Sequence, residues 1–157
     1  MSFTGVASLD RSIDKANAWL ADIDAGFGTS DRHLAHRVLR AWLHCLRDRL
    51  TVEVAAHFAA QLRGVFFDGW NPSRVPQKYD RAGYQTRFAR EARVHDSDVV
   101  KAARIVTAVA RRHMSAGVVA QAFGLLPADL RELLEPTGAG PAATQPSAAS
   151  PPATGGR

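Results

Sequence analysis

The chain has 157 residues, 46% of them hydrophobic and 22% charged, with a net charge of +5; this suits one domain with a real core plus some unstructured sequence. No apolar run approaches the roughly 20 residues that cross a bilayer, and Met1-Ser2-Phe3-Thr4-Gly5 lacks a basic stretch leading into an apolar one, so neither a membrane anchor nor a secretory signal is expected. The single cysteine, Cys45, excludes an intramolecular disulfide, and the default expectation is a cytoplasmic protein.

Helical periodicity runs from the N-terminus onward. Residues 8–25 place Ile13, Ala16, Leu20 and Ile23 on one stripe, and Gly26-Phe27-Gly28 ends it. Ser30 or Asp31 caps the next helix, in which Leu34, Val38, Ala41, Trp42, Cys45, Leu46 and Arg49 recur at three- and four-residue steps. Thr51 caps a third helix with Val54, Ala55, Phe58 and Leu62 inward. A stretch punctuated by glycine and proline follows over 64–76, and helix resumes over 81–93 with Tyr84 and Phe88 inward. Asp96 is expected to cap a helix carrying Val99, Val100, Ala103, Val106 and Ala110. Ser115 caps another, carrying Val118, Val119, Ala122 and Phe123. A short last helix begins at Pro127, a favoured first helical position, and reaches Leu134. Beyond Pro136 only Pro, Gly, Ala, Thr, Ser and Gln remain before Arg157. With nothing large and apolar to bury, residues 136–157 are expected to be disordered.

Two helix pairs read as copies at an offset of 64. Leu39, Ala41, Trp42, Cys45 and Leu46 fall on Ala103, Ile105, Val106, Val109 and Ala110. Arg40 falls on Arg104, Arg49 on His113, and Leu50-Thr51 on Met114-Ser115. Val54, Ala55, Phe58, Ala59 and Leu62 meet Val118, Val119, Ala122, Phe123 and Leu126. The expectation is an all-α protein, a helical bundle of two pseudo-repeated helix pairs (31–62 and 96–126) with flanking helices and an insert over 63–93. One difference separates the copies. Leu126 is followed by Pro127-Ala128-Asp129-Leu130-Arg131, whereas Leu62 runs straight into Arg63, so the first copy lacks four residues, about one helical turn.

Three features resemble the bacterial family catalogued as domain of unknown function 2267. They are the helix pair over 37–62, with Leu46-Arg47-Asp48-Arg49-Leu50 before the cap at Thr51; the aromatic turn Arg63-Gly64-Val65-Phe66-Phe67-Asp68-Gly69-Trp70-Asn71-Pro72, with Pro76 after it; and the ending Leu125-Leu126-Pro127 to Leu130-Arg131. The resemblance covers roughly residues 8–135, its most specific part being the Gly-Trp-x-Pro turn. The departure is the absent Leu-Pro-x-x-Leu turn after Gln61. The resemblance implies an all-helical duplicated fold and no particular reaction.

The charge excess is local. Residues 1–62 carry seven basic and seven acidic residues, residues 63–93 seven against three, and the remainder six against five. Arginine outnumbers lysine 17 to 3, which a GC-rich genome also produces without an anionic partner. Within 63–93, Phe66, Phe67, Trp70, Tyr79 and Tyr84 interleave with Arg63, Arg74, Lys78, Arg81, Arg87 and Arg90, a composition that suits base stacking combined with phosphate contacts. The same residues suit an aromatic plug between the repeats with a solvated arginine rim, and this reading is preferred because a long loop must be pinned and aromatics bury most area per residue.

Other candidates are weaker. His33 and His36, and Glu53 and His57, have spacings that share a helix face as metal ligands must, but no zinc or di-iron pattern completes them, and an exposed polar face explains them better. Cys45 lies on an apolar stripe and its counterpart in the other copy is Val109, which fits a small buried hydrophobe. No cofactor or metal is therefore expected. The preferred function is a non-catalytic helical interaction or regulatory module with a protein partner or self-association. The alternatives are a nucleic-acid-associated protein using 63–93, and an enzyme with a pocket at the repeat junction lined by Trp70 or Tyr84.

Overall fold

Short polar side chains set where several helices begin. In the computed structural model, which describes residues 4–62 and 77–135, Asp31 accepts from the backbone N–H groups of His33 and Leu34 at 3.1 Å and opens α2 (Arg32–Arg47). Thr51 accepts from the N–H of Val54 to open α3 (Val52–Gln61), and Asp80 from that of Gly83 to open α4 (Arg81–Ala92). Each bond satisfies a donor that the first helical turn leaves without a partner. The other helices are α1 (Ala7–Phe27), α5 (Val99–His113), α6 (Ala116–Gly124) and α7 (Ala128–Leu134). The described residues contain no strand, and the fold is all-α. The expected tail at 136–157 and the Gly/Pro stretch at 64–76 lie outside the described residues.

The caps differ in detail from expectation. Asp96–Asp98 wind as a 3-10 turn, so α5 begins at Val99. Ser115 and Pro127 occupy the cap positions of α6 and α7 without a capping side-chain bond. Two helices end in left-handed residues, Gly28 after α1 (φ 69°) and Arg93 after α4 (φ 56°), where the backbone turns back to satisfy the last carbonyls.

The core is continuous across all the helices. Trp19, Trp42, Phe58 and Phe88 are fully buried with Leu39, Leu46, Leu130 and Leu133. Trp42 Nε1 donates to Thr107 Oγ1 at 3.0 Å, and that hydroxyl donates to the Ala103 carbonyl, joining α2 to α5 where water cannot substitute. The inward expectation fails at Ile13, which is 44% exposed, as are Val6 and Leu9 to similar degree. The reason is length: α1 has 21 residues and packs on α5, which has 15.

Burial repeats along the chain. Ala35, Val38, Leu39, Trp42, Leu43, Cys45, Leu46, Leu50, Ala55, Phe58 and Leu62 are buried, and so is every residue 64 positions later, from Val99 to Leu126. The correspondence reaches further back at a spacing of 65: buried Trp19, Ile23 and Asp24 of α1 match buried Tyr84, Phe88 and Ala89 of α4, and left-handed Gly28 matches left-handed Arg93. The packing is reciprocal: α1 lies on α5 while α4 lies on α2, with α3 against α6 and α2 against α5. Thus α4, read from sequence as part of an insert, packs on α2 as α1 packs on α5.

Candidate functional site

The junction of α2 with α4 leaves a polar cleft of about 370 Å³, lined by Arg40, His44, Cys45, Arg47, Asp48, Gln77, Arg87, Arg90 and Glu91. Residues 40, 44 and 47 follow one another at four and three residues, so α2 presents them on one face. Arg87, Arg90 and Glu91 come from the facing side of α4. Four guanidiniums stand against two carboxylates, a balance of +2.

Each acid in the cleft is held by more than one base. Asp48 takes the buried Arg47 guanidinium at 2.8 Å and Arg87 at 3.6 Å. A guanidinium with 6% side-chain exposure requires such a partner, because an uncompensated buried charge costs several kcal/mol, roughly 3–5 when a pair is broken. Glu91 meets His44 Nδ1 in a short contact and Arg40 Nε at 3.8 Å. Arg90 is exposed and has no ion pair among the described residues.

The segment leading into α4 is fastened to the end of α2. The Gln77 N–H donates to the Asp48 carbonyl at 2.6 Å, its side-chain oxygen accepts from Arg87, and its carbonyl accepts from Arg49. The Tyr79 hydroxyl donates to the Cys45 carbonyl. Arg87 lies 4.8 Å and Arg49 5.8 Å from the Tyr79 ring centre, so two cations share one aromatic face system.

Electrostatics argue against a nucleophile. Burial, reinforced by Glu91 and Asp48, pushes the Cys45 thiol up to about 12, so at neutral pH it stays protonated. Burial likewise raises the phenols of Tyr79 and Tyr84, and the Tyr84 hydroxyl has no hydrogen-bond partner among the described residues.

The equivalent junction of α1 with α5 is built differently. Gly26 passes so close to α5 that a Cβ there would meet Ile105 Cγ2 at 2.6 Å. Counted by the same spacings of 65 and 64, Gly26 corresponds to Glu91 and Ile105 to Ala41.

Of the residues singled out from sequence, Arg63, Phe66, Phe67, Trp70 and Arg74 lie outside the described residues. Lys78 is exposed; Arg81 is half-buried, its backbone N–H donating to Asp129 of α7. Tyr84 is buried, and it does not line the cleft that Arg87 and Arg90 share. His33, His36, Glu53 and His57 are all exposed. Sequence reasoning missed Arg40, His44, Arg47, Asp48, Gln77 and Glu91. A signal was available: a helix with an otherwise apolar pattern carries charged or polar residues at 40, 44 and 47, and Arg40 and Arg47 recur as Arg104 and Arg111.

The family model of an uncharacterized conserved protein, DUF2267, matches residues 16–133. The chain belongs to this family. The match runs from within α1 to within α7 and takes in every lining residue of the cleft, so the site lies within the family domain. A search of curated proteins finds no match. No helix of the described residues is long and apolar enough to cross a membrane.

Proposed function

We propose that this DUF2267 protein is a non-catalytic interaction module whose working surface is the α2–α4 cleft. The observation that carries the reading is the convergence of four arginines from two helices on one cleft with only two carboxylates. An excess of guanidinium groups in a partly desolvated cleft suits recognition of an anionic group on a partner. The thiol beneath it, held protonated, supports binding rather than covalent chemistry. We also propose that the 64-residue periodicity of burial records a duplication, now a three-helix unit with α1 and α4 as counterparts. Its proposed setting is the bacterial cytoplasm.

The test is a photoreactive amino acid placed at exposed position 86, one turn before Arg90 on α4, compared with one at exposed position 57 on α3, in cells of the native host. Cross-links to a discrete protein from position 86 alone, lost when Arg87→Glu is added, support the module. Cross-links to nucleic acid from position 86 support the second reading, in which Lys78, Arg87 and Arg90 contact phosphates; such binding would also weaken steeply with salt. Equal labelling from both positions removes the cleft as the working surface.

A further inference from the structure

The charges of the α2–α4 cleft are not evenly matched between its two walls. On α2, buried Arg47 takes Asp48 at 2.8 Å, and Arg40 and His44 share Glu91, so the α2 bases are engaged within the fold. Four guanidiniums against two carboxylates leave an excess of two positive charges, and that excess falls on α4, at Arg87 and Arg90. Arg87 stands 3.6 Å from an Asp48 that Arg47 already holds more closely, a distance beyond a hydrogen bond. Arg90 is exposed and has no ion pair among the described residues.

Arg87 and Arg90 are three residues apart, neighbours on one helix face about 4.5 Å apart along the axis, where like charges oppose one another. Arg87 is also preset: the Gln77 side-chain oxygen accepts from it and its guanidinium lies 4.8 Å over the Tyr79 ring, so little side-chain freedom remains to be lost on binding. A phosphate monoester matches this pair, since it brings about −1.5 to −2 charge at pH 7 and several acceptor oxygens on one centre. A carboxylate or a nucleic-acid phosphodiester brings only one charge. The cleft walls argue against a free small molecule. Among the lining residues only Cys45 lacks a charged or strongly polar side chain, whereas small-molecule pockets are lined predominantly by apolar groups.

We propose that Arg87 and Arg90 form a recognition site for a phosphorylated side chain of a partner protein, phosphoserine or phosphothreonine, received at the α4 wall of the cleft. The phosphate oxygens accept from both guanidiniums, while Arg47, Arg40 and His44 stay on Asp48 and Glu91 and keep those carboxylates compensated. This rests on the interaction-module reading and adds the chemistry of the partner.

The probe is an alanine-based peptide with one central phosphoserine, titrated into the full isotope-labelled chain and followed by NMR. The expected result is saturable movement of the Nε–H signals of Arg87 and Arg90. The same peptide with Glu at the central position should bind about tenfold or more weakly, as loss of a charge-assisted hydrogen bond implies. Arg90→Gln, at an exposed side chain, should weaken the phosphopeptide by about the same factor without lowering the melting temperature. Arg93→Gln, at an exposed arginine outside the cleft, should leave binding unchanged. Equal loss from the two variants, equal affinity for the Glu peptide, inorganic phosphate or a single-stranded oligonucleotide bound as tightly as the phosphopeptide, or no shifts at millimolar peptide would overturn the site. If protein cross-links from position 86 persist in that case, only the phosphate inference fails; if they too are missing, the module reading fails with it.

Discussion

Arg87 and Asp48 pair at 3.6 Å between α4 and α2, and Asp22 and Arg112, 65 and 64 positions away, pair at 3.9 Å between α1 and α5 with the charges exchanged. The two pairs differ in depth. Asp48 has 12% side-chain exposure and also serves buried Arg47, whereas Asp22 and Arg112 are 37% and 60% exposed. The two pairs therefore carry unequal weight.

Asp48→Ala is expected to cost about 1–3 kcal/mol in urea denaturation, because it takes a carboxylate from Arg47 as well as from Arg87. Arg112→Ala, on the exposed pair, should cost less than about 1 kcal/mol. Equal costs for the two variants would contradict the difference in burial.

Gly26→Ala sets two effects in opposition. Alanine is favoured in a helix by about 1 kcal/mol, but its Cβ would press on Ile105 at 2.6 Å, and overpacking costs about 1–3 kcal/mol. Net destabilisation is expected from the thermal midpoint. In an Ile105→Ala background the same substitution should become neutral or stabilising.

Arg93 holds φ 56° at the end of α4, a conformation that costs an L side chain about 1–2 kcal/mol. Arg93→Gly should raise stability by about 0.5–1 kcal/mol. Gly28→Ala, at the matching end of α1, should lower it by a similar amount.

Cys45 gives a pH signature. Its thiol ionises near 9.0 when unfolded and near 12 when folded, so between those values the unfolded chain has lost a proton that the native chain retains. Its contribution is fully present below pH 9 and declines as pH rises toward 12. Cys45→Ala should flatten that part of the alkaline stability profile, and native Cys45 should resist iodoacetamide at pH 8.5 while the urea-unfolded chain reacts.

How much of this was legible in the sequence follows from the range of the interactions concerned. The helices and their inward faces were readable because Trp42, Leu46 and Phe58 sit at helical spacing, and Asp31 and Thr51 mark starts through bonds two or three residues long. Arg87 and Arg90 were picked out for their charge, but the residues that make a cleft of them, Arg40, His44, Arg47 and Asp48, stand some 40 positions earlier. No local pattern pairs α4 with α2. Ile13 shows a second limit: periodicity gives the face of a helix, not how far its neighbour extends.

That overhang divides α1 into two regimes of backbone opening. After Trp19, amides lie against fully buried side chains, and their exchange with solvent deuterium requires the domain to unfold. Before Ala16 the turn carrying exposed Leu9 and Ile13 is held by its own ladder and by contacts that include Thr4–Asp10 and Lys15–Gln61. Those amides exchange by fraying, at rates indifferent to global stability. A core mutation such as Phe58→Ala would therefore accelerate exchange in the second half of α1 and leave the first half unchanged, so that one helix reports two free energies.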